Sequence, residues 1–252
     1  MTQLAGFLWF VLMLVPLIFL QRLLHREMQA VFLIATRSGR FTIGLFQLIF
    51  LPGVFLHESS HYLMAKILRV PTGRFSVLPR PLPDGRLQMG YVEIAQSDIV
   101  RDSLLGAAPL IAGTIFTAYV ALYALDMRVL WDTLRNGQMS MFWMGIKLLP
   151  TVNNFYLWAY LAFVVSSMMM PSQSDRHAWL ELVVSVGILF VVALLVGAGP
   201  WILSTVAPLV SDFLSSVAVI FGLSAAIHGM LALPVMLIHK LLTRLTGRDV
   251  SR

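Results

Sequence analysis

The stretch Thr42–Ile67, TIGLFQLIFLPGVFLHESSHYLMAKI, decides how the rest of the chain is read. Residues 42–56 carry no charge and only two polar side chains, Thr42 and Gln47. With the residues that follow, the run has the length of roughly 20 apolar residues that a helix needs to cross the hydrocarbon core. Inside that run stands His57-Glu58-Ser59-Ser60-His61, an H-E-x-x-H motif. Four residues make slightly more than one helical turn, so both imidazoles project from one face and can grip one metal ion. Zinc suits such a pair, because neutral imidazole is a strong ligand and the ion imposes no d-electron geometry. Glu58, beside the pair, is placed to take a proton from an attacking water and pass it to a leaving amine. With 6 His and 4 Glu in 252 residues, the motif is expected by chance only about 0.002 times. A carboxylate inside a spanning helix is costly and usually functional. The plainer alternative is a polar contact between helices.

Outward from this motif, composition agrees with a membrane setting. The chain is 58% hydrophobic and 12% charged, with mean hydropathy +0.83, whereas a soluble domain carries about 25% charged residues. The net charge of +6 lies between or at the ends of apolar segments, a placement that suits anionic headgroups and not nucleic acid. The absence of cysteine rules out disulfides and thiolate metal sites. The first apolar stretch, Leu4 to Leu20, lacks a basic leader and an Ala-x-Ala site, and is expected to be a retained span.

The expected fold is an all-α polytopic membrane protein, one domain over 1–252. About six transmembrane helices are expected, near 4–21, 42–67, 103–125, 154–171, 178–198 and 213–241, with 200–213 as a loop or interfacial turn. Between the second and third spans, about 70–98, a Pro-rich, charged segment contains the turn signal Pro83-Asp84-Gly85 and the partly alternating run Arg86–Ile94. It predicts a small β-hairpin or sheet at the membrane surface. Segment 126–153 has room for an interfacial helix.

A catalytic zinc ordinarily has three protein ligands, and no further ligand follows His61 at the spacings of soluble zinc proteases. Asp175 is the candidate. His57 lies about sixteen residues into its span, roughly 24 Å along it. Two more passes then bring Asp175 out on the side of the two histidines. Ser172, Ser174 and Asp175 also suit a helix N-cap, and His177 is the alternative ligand. His228 reads as a hydrogen-bonded histidine of the bundle, and Gly106 and Gly113 read as close-packing positions.

This order resembles the site-2 protease family of intramembrane zinc metalloproteases: His-Glu-x-x-His in a span, a β-rich segment, a returning span and a late Asp. The resemblance covers a core of about 42–180. It implies zinc on His57, His61 and Asp175, with Glu58 as catalytic base. It also implies peptide-bond hydrolysis in transmembrane protein substrates within a lipid bilayer. The chain departs from the family pattern at Ala108 and Ala112, where Gly and Asn are expected. Ser167 stands where an Asn is expected, Pro171 is one position closer to the Asp, and Arg176 follows it. Two other readings stand beside it: a zinc-binding membrane protein without protease activity, and an ion or proton transporter. Lys and Arg were counted with hairpin, 172–177 loop and C-terminus on one side. That side holds Arg69, Arg74, Arg80, Arg86, Arg101, Arg176, Lys240, Arg244, Arg248 and Arg252. The count predicts an active site toward the cytoplasm, and the expected location is a prokaryotic cell membrane.

Overall fold

The computed structural model describes residues 5–81 and 87–248. Helix α1 (Ala5–Thr36) turns sharply through Arg37 and Ser38 into α2 (Gly39–Ile67). Four short strands follow: β1 (Thr72–Ser76), β2 (Arg80–Pro81), β3 (Leu87–Gln88) and β4 (Tyr91–Ile94). Helix α3 (Ile99–Tyr119), with a π-helical extension over Val120–Ala124, leads to α4 (Arg128–Arg135) and α5 (Met139–Leu148). Then come α6 (Phe155–Met168) and α7 (Trp179–Leu195). A single turn, α8 (Gly199–Trp201), and a π-helical stretch feed the long α9 (Ala207–Thr246).

Among the described residues, four helices are long and apolar enough to cross a bilayer: α1, α2, α3 with its extension, and the run from Gly199 to Thr246. The α5–α6 pair, bent by 100°, makes a fifth candidate. This is fewer than the six read from sequence, and helix directions explain the difference. Tyr160 donates to the Ile49 carbonyl and His57 meets that of Met168, so α6 runs parallel to α2. Gly6 meets Ser211, Gly222 meets Met13, and Glu27 meets His239, so α9 runs parallel to α1. Helix α6 therefore ends, and α9 begins, at the same end of the bundle. An even number of passes must separate them, and α7, which packs on α3 alone at any length, adds no single crossing. The C-terminal cations Lys240, Arg244 and Arg248 consequently lie with Arg37 and Arg40, at the end away from His57. The charge count that placed the site in the cytoplasm assumed the reverse and loses its basis.

Two other expectations change. Helix α1 continues fifteen residues past 21, because charges at Arg22, Arg26 and Glu27 end the hydropathy signal without breaking the backbone. Region 200–213 is helical and not a loop. Pro200 stands in the first turn of α8, where a missing N–H breaks no helical bond, and Pro208 follows the π-helical stretch Ile202–Val206 that joins α8 to α9.

The β segment forms two nested antiparallel pairs. Strand β1 pairs with β4 (Phe75 with Val92, Ser76 with Tyr91), and β2 with β3 (Arg80 with Gln88). The Pro83-Asp84-Gly85 turn lies outside the described residues. The hairpin folds back along α2. The Phe75 ring sits 6.4 Å from Phe55 and 6.2 Å from Tyr62, and Gln47 donates to the Val77 carbonyl at 2.5 Å. Gln47 is about 15 Å deeper along the helix than His57. The apolar side chains Val77 and Met89 drive this, packing on the core of Leu24, Phe46, Phe50, Val54 and Phe163.

Candidate metal centre

The two histidines of α2 face a common point. Their ring centroids are 4.9 Å apart, and His57 Nε2 lies 3.3 Å from His61 Nε2. Each ring is fixed from behind. His61 Nδ1 donates to the Leu105 carbonyl at 2.9 Å, and His57 Nδ1 to the Met168 carbonyl at 2.6 Å. Local sequence explains why both carbonyls are free. In a helix the Leu105 oxygen would accept from residue 109, which is Pro109 and has no N–H. Met168 is the last residue of α6, where helix carbonyls run out of partners. Pro171 likewise frees the Ser167 carbonyl, which accepts from the Gln21 side chain.

A carbonyl can only accept, so each Nδ1 carries the proton and each Nε2 of a neutral ring presents a lone pair. A carboxylate completes the group. Asp175 Oδ1 is 3.4 Å from His61 Nε2, and Asp175 Oδ2 is 3.7 Å from His57 Nε2. The carboxylate is oriented by the Ser172 N–H, which donates to Oδ2 at 2.6 Å. Burial alone would raise the pKa of Asp175. Positive charge on the facing imidazoles, together with the Ser172 N–H, would outweigh it and hold the carboxyl well below its ordinary range. Asp175 does not cap α7, whose N-cap is Ala178.

Three electron-pair donors within 4.8 Å of one another repel unless a cation sits among them. Ligand bonds of about 2.0–2.1 Å at a tetrahedral ion put donor atoms roughly 3.3–3.4 Å apart. The two imidazole nitrogens, 3.3 Å apart, have that spacing, and Asp175 closes the group with a different oxygen toward each ring, Oδ1 toward His61 and Oδ2 toward His57, so the three side chains together could hold a metal ion. Each histidine also has the second hydrogen-bonded partner that orients metal-binding rings.

Glu58 is buried and lines the same cleft, of about 1600 Å³. The backbone of Gly90 lies against it: a Cβ there would come within 2.8 Å of Glu58 Cγ. Gly106 serves the loop in the same way, because a Cβ on it would strike the Asp175 carbonyl. His177 turns away from the centre, with Nδ1 on the Ser174 carbonyl at 2.7 Å and Nε2 3.4 Å from Asp102. His228 lies in the bundle interior between Ser167 Oγ at 2.8 Å and the Ser224 carbonyl at 2.7 Å.

Sequence reasoning missed the carbonyl partners, although Pro109 and Pro171 were the visible signals for two freed carbonyls. It also missed the buried Glu27–His239 pair, 2.5 Å apart on the cleft wall formed by α1 and α9. No protein-family model, curated protein or solved structure matches the chain.

Proposed function

We propose that the chain is an intramembrane zinc metallopeptidase of site-2 protease type, hydrolysing peptide bonds in transmembrane protein substrates. The observation that carries this reading is the convergence of His57 Nε2, His61 Nε2 and an Asp175 oxygen, with both Nδ1 protons already committed. His57, His61 and Asp175 would hold the ion. Bound zinc supplies Lewis acidity toward a carbonyl oxygen and makes water easier to deprotonate.

The remaining chemistry falls to side chains. Glu58 neighbours His57 in sequence and opens on the same cleft, so it can accept a proton from the attacking water and return it to the departing nitrogen. The Leu105 and Met168 carbonyls keep both imidazoles in one tautomer throughout. The cleft also runs past Gln88, Met89 and Gly90 of the hairpin. That gives an extended substrate segment main-chain groups to pair with.

Zinc content and cleavage test this together. The purified wild-type chain should hold one zinc per molecule, and Asp175→Ala should lose most of it. Glu58→Gln should keep its zinc while cleavage of single-span substrates disappears. A zinc-loaded wild type that cleaves nothing leaves a metal-binding membrane protein without peptidase activity. Zinc or proton flux in liposomes would favour the transporter.

A further inference from the structure

The hairpin carries a cation, Arg80, into the cleft that holds His57, Glu58, His61 and Asp175. Its position is built, not incidental. The β2–β3 register sets Arg80 opposite Gln88, and Arg80 Nε donates to Gln88 Oε1 at 3.0 Å. The guanidinium carbon stands 3.6 Å from the centre of the Tyr91 ring. Between those two holding residues is Gly90, where a Cβ would lie 2.8 Å from Glu58 Cγ and 3.0 Å from Glu58 Oε1. The stretch that grips the guanidinium is therefore the stretch that lies against the Glu58 carboxylate. Stacking and the Nε bond fix the plane of the group, and among the described residues no hydrogen bond takes up its two terminal amino groups. A guanidinium stays protonated at any working pH. Donors held ready in a site also need no reorganisation as charge develops.

Resting on the peptidase reading above, we propose that Arg80 is a catalytic residue that donates from its terminal amino groups to the oxygen of the scissile carbonyl. Glu58 accepts a proton from water while the water oxygen bonds to the carbonyl carbon. The π electron pair of the carbonyl moves onto its oxygen, where Arg80 meets the new negative charge. When that pair returns, the C–N bond breaks and Glu58 passes its proton to the leaving nitrogen. Arg80 keeps all its protons and acts only through charge and hydrogen bonds.

The test uses the full chain in detergent with zinc, fluorescein-labelled casein as substrate, and two binding probes. One probe is a phosphinate dipeptide analogue, which carries negative oxygens where the carbonyl oxygen would be; the other is an uncharged product peptide. Arg80→Gln should lower kcat about 100-fold and leave KM within about threefold. Zinc content and unfolding temperature should match wild type. Phosphinate binding should weaken by a factor similar to the kcat loss, while product binding stays unchanged. Arg80→Lys, which keeps the charge but loses the planar fork, should recover about tenfold of the lost rate.

An unchanged kcat in Arg80→Gln overturns the proposal. So does an equal weakening of both probes, which would make Arg80 a docking residue. Loss of zinc or of thermal stability in both variants assigns it to holding the hairpin and also overturns the proposal. If wild type neither binds zinc nor cleaves casein, the peptidase reading fails and takes this one with it. That outcome is recognised before any variant is made.

Discussion

Replacing Gly106 with Ala should weaken zinc binding without replacing any of the three proposed ligand side chains. A Cβ at this position would overlap the Asp175 carbonyl oxygen and lie 2.8 Å from its carbonyl carbon. Non-bonded carbons rest about 3.5–4.0 Å apart, so the two backbones must separate by roughly 1 Å. Neither side yields easily. Gly106 is inside α3, and the Asp175 segment is tied down by the Ser172 N–H bond and by the Trp179 indole donating to the Ser103 carbonyl at 3.3 Å. A displacement of that size at a functional group costs about 100-fold. Loss of a single supporting interaction around a metal costs about 10- to 100-fold in affinity. Zinc affinity of Gly106→Ala should therefore fall by roughly 10- to 100-fold, measured by competition with a calibrated chelator. Gly222→Ala is the control, because its Cβ would meet only the far end of the Met13 side chain, with Sδ at 3.1 Å. It should stay within about threefold of wild type, since a flexible thioether adapts. A folded Gly106→Ala protein with wild-type zinc affinity would refute the reasoning.

Gly90→Ala should give the opposite signature. Its Cβ would come within 3.0 Å of Glu58 Oε1 and of Val54 Cγ1, so cleavage should drop about tenfold or more while zinc stoichiometry is unchanged; zinc loss would show that Gly90 supports the ligands instead. Glu27→Gln weakens a hydrogen-bonded pair whose side chains are 10% and 12% exposed, and should cost about 2 kcal/mol in unfolding from mixed micelles. A change near zero would mean that His239 is equally well served by the amide. Phe50→Ala removes a fully buried ring that packs on Phe46, Phe163 and His25, and a loss of about 3 kcal/mol is expected in the same assay. A loss below about 1 kcal/mol would mean that the surrounding rings collapse into the space.

What could be read from the sequence was whatever depends on local pattern. Helix α2 was legible because one apolar run and one i, i+4 motif coincide in it. The hairpin was legible through its prolines and its alternating run. Counting passes put residue 175 at the end of the bundle where His57 lies, because only two intervening helices had to be recognised. The same counting failed for α9, since hydropathy alone cannot tell a crossing helix from α7, whose exposed apolar surface packs little on the bundle. Arg80 could not be singled out, because in the sequence it is one of several loop cations. Only the pairing of β2 with β3 brings Gln88 and Tyr91 to its sides. Pro109 and Pro171 were visible, but a freed carbonyl acquires meaning only when another helix supplies the donor, His61 in one case and Gln21 in the other.

The parallel course of α1 and α9 has a practical corollary for anyone attaching a reporter. Fusions before α1 and after α9 would emerge into different compartments, with the His57, His61 and Asp175 cluster nearer the first. A fluorescent domain appended after α9 would thus score the compartment opposite to the one nearest that cluster.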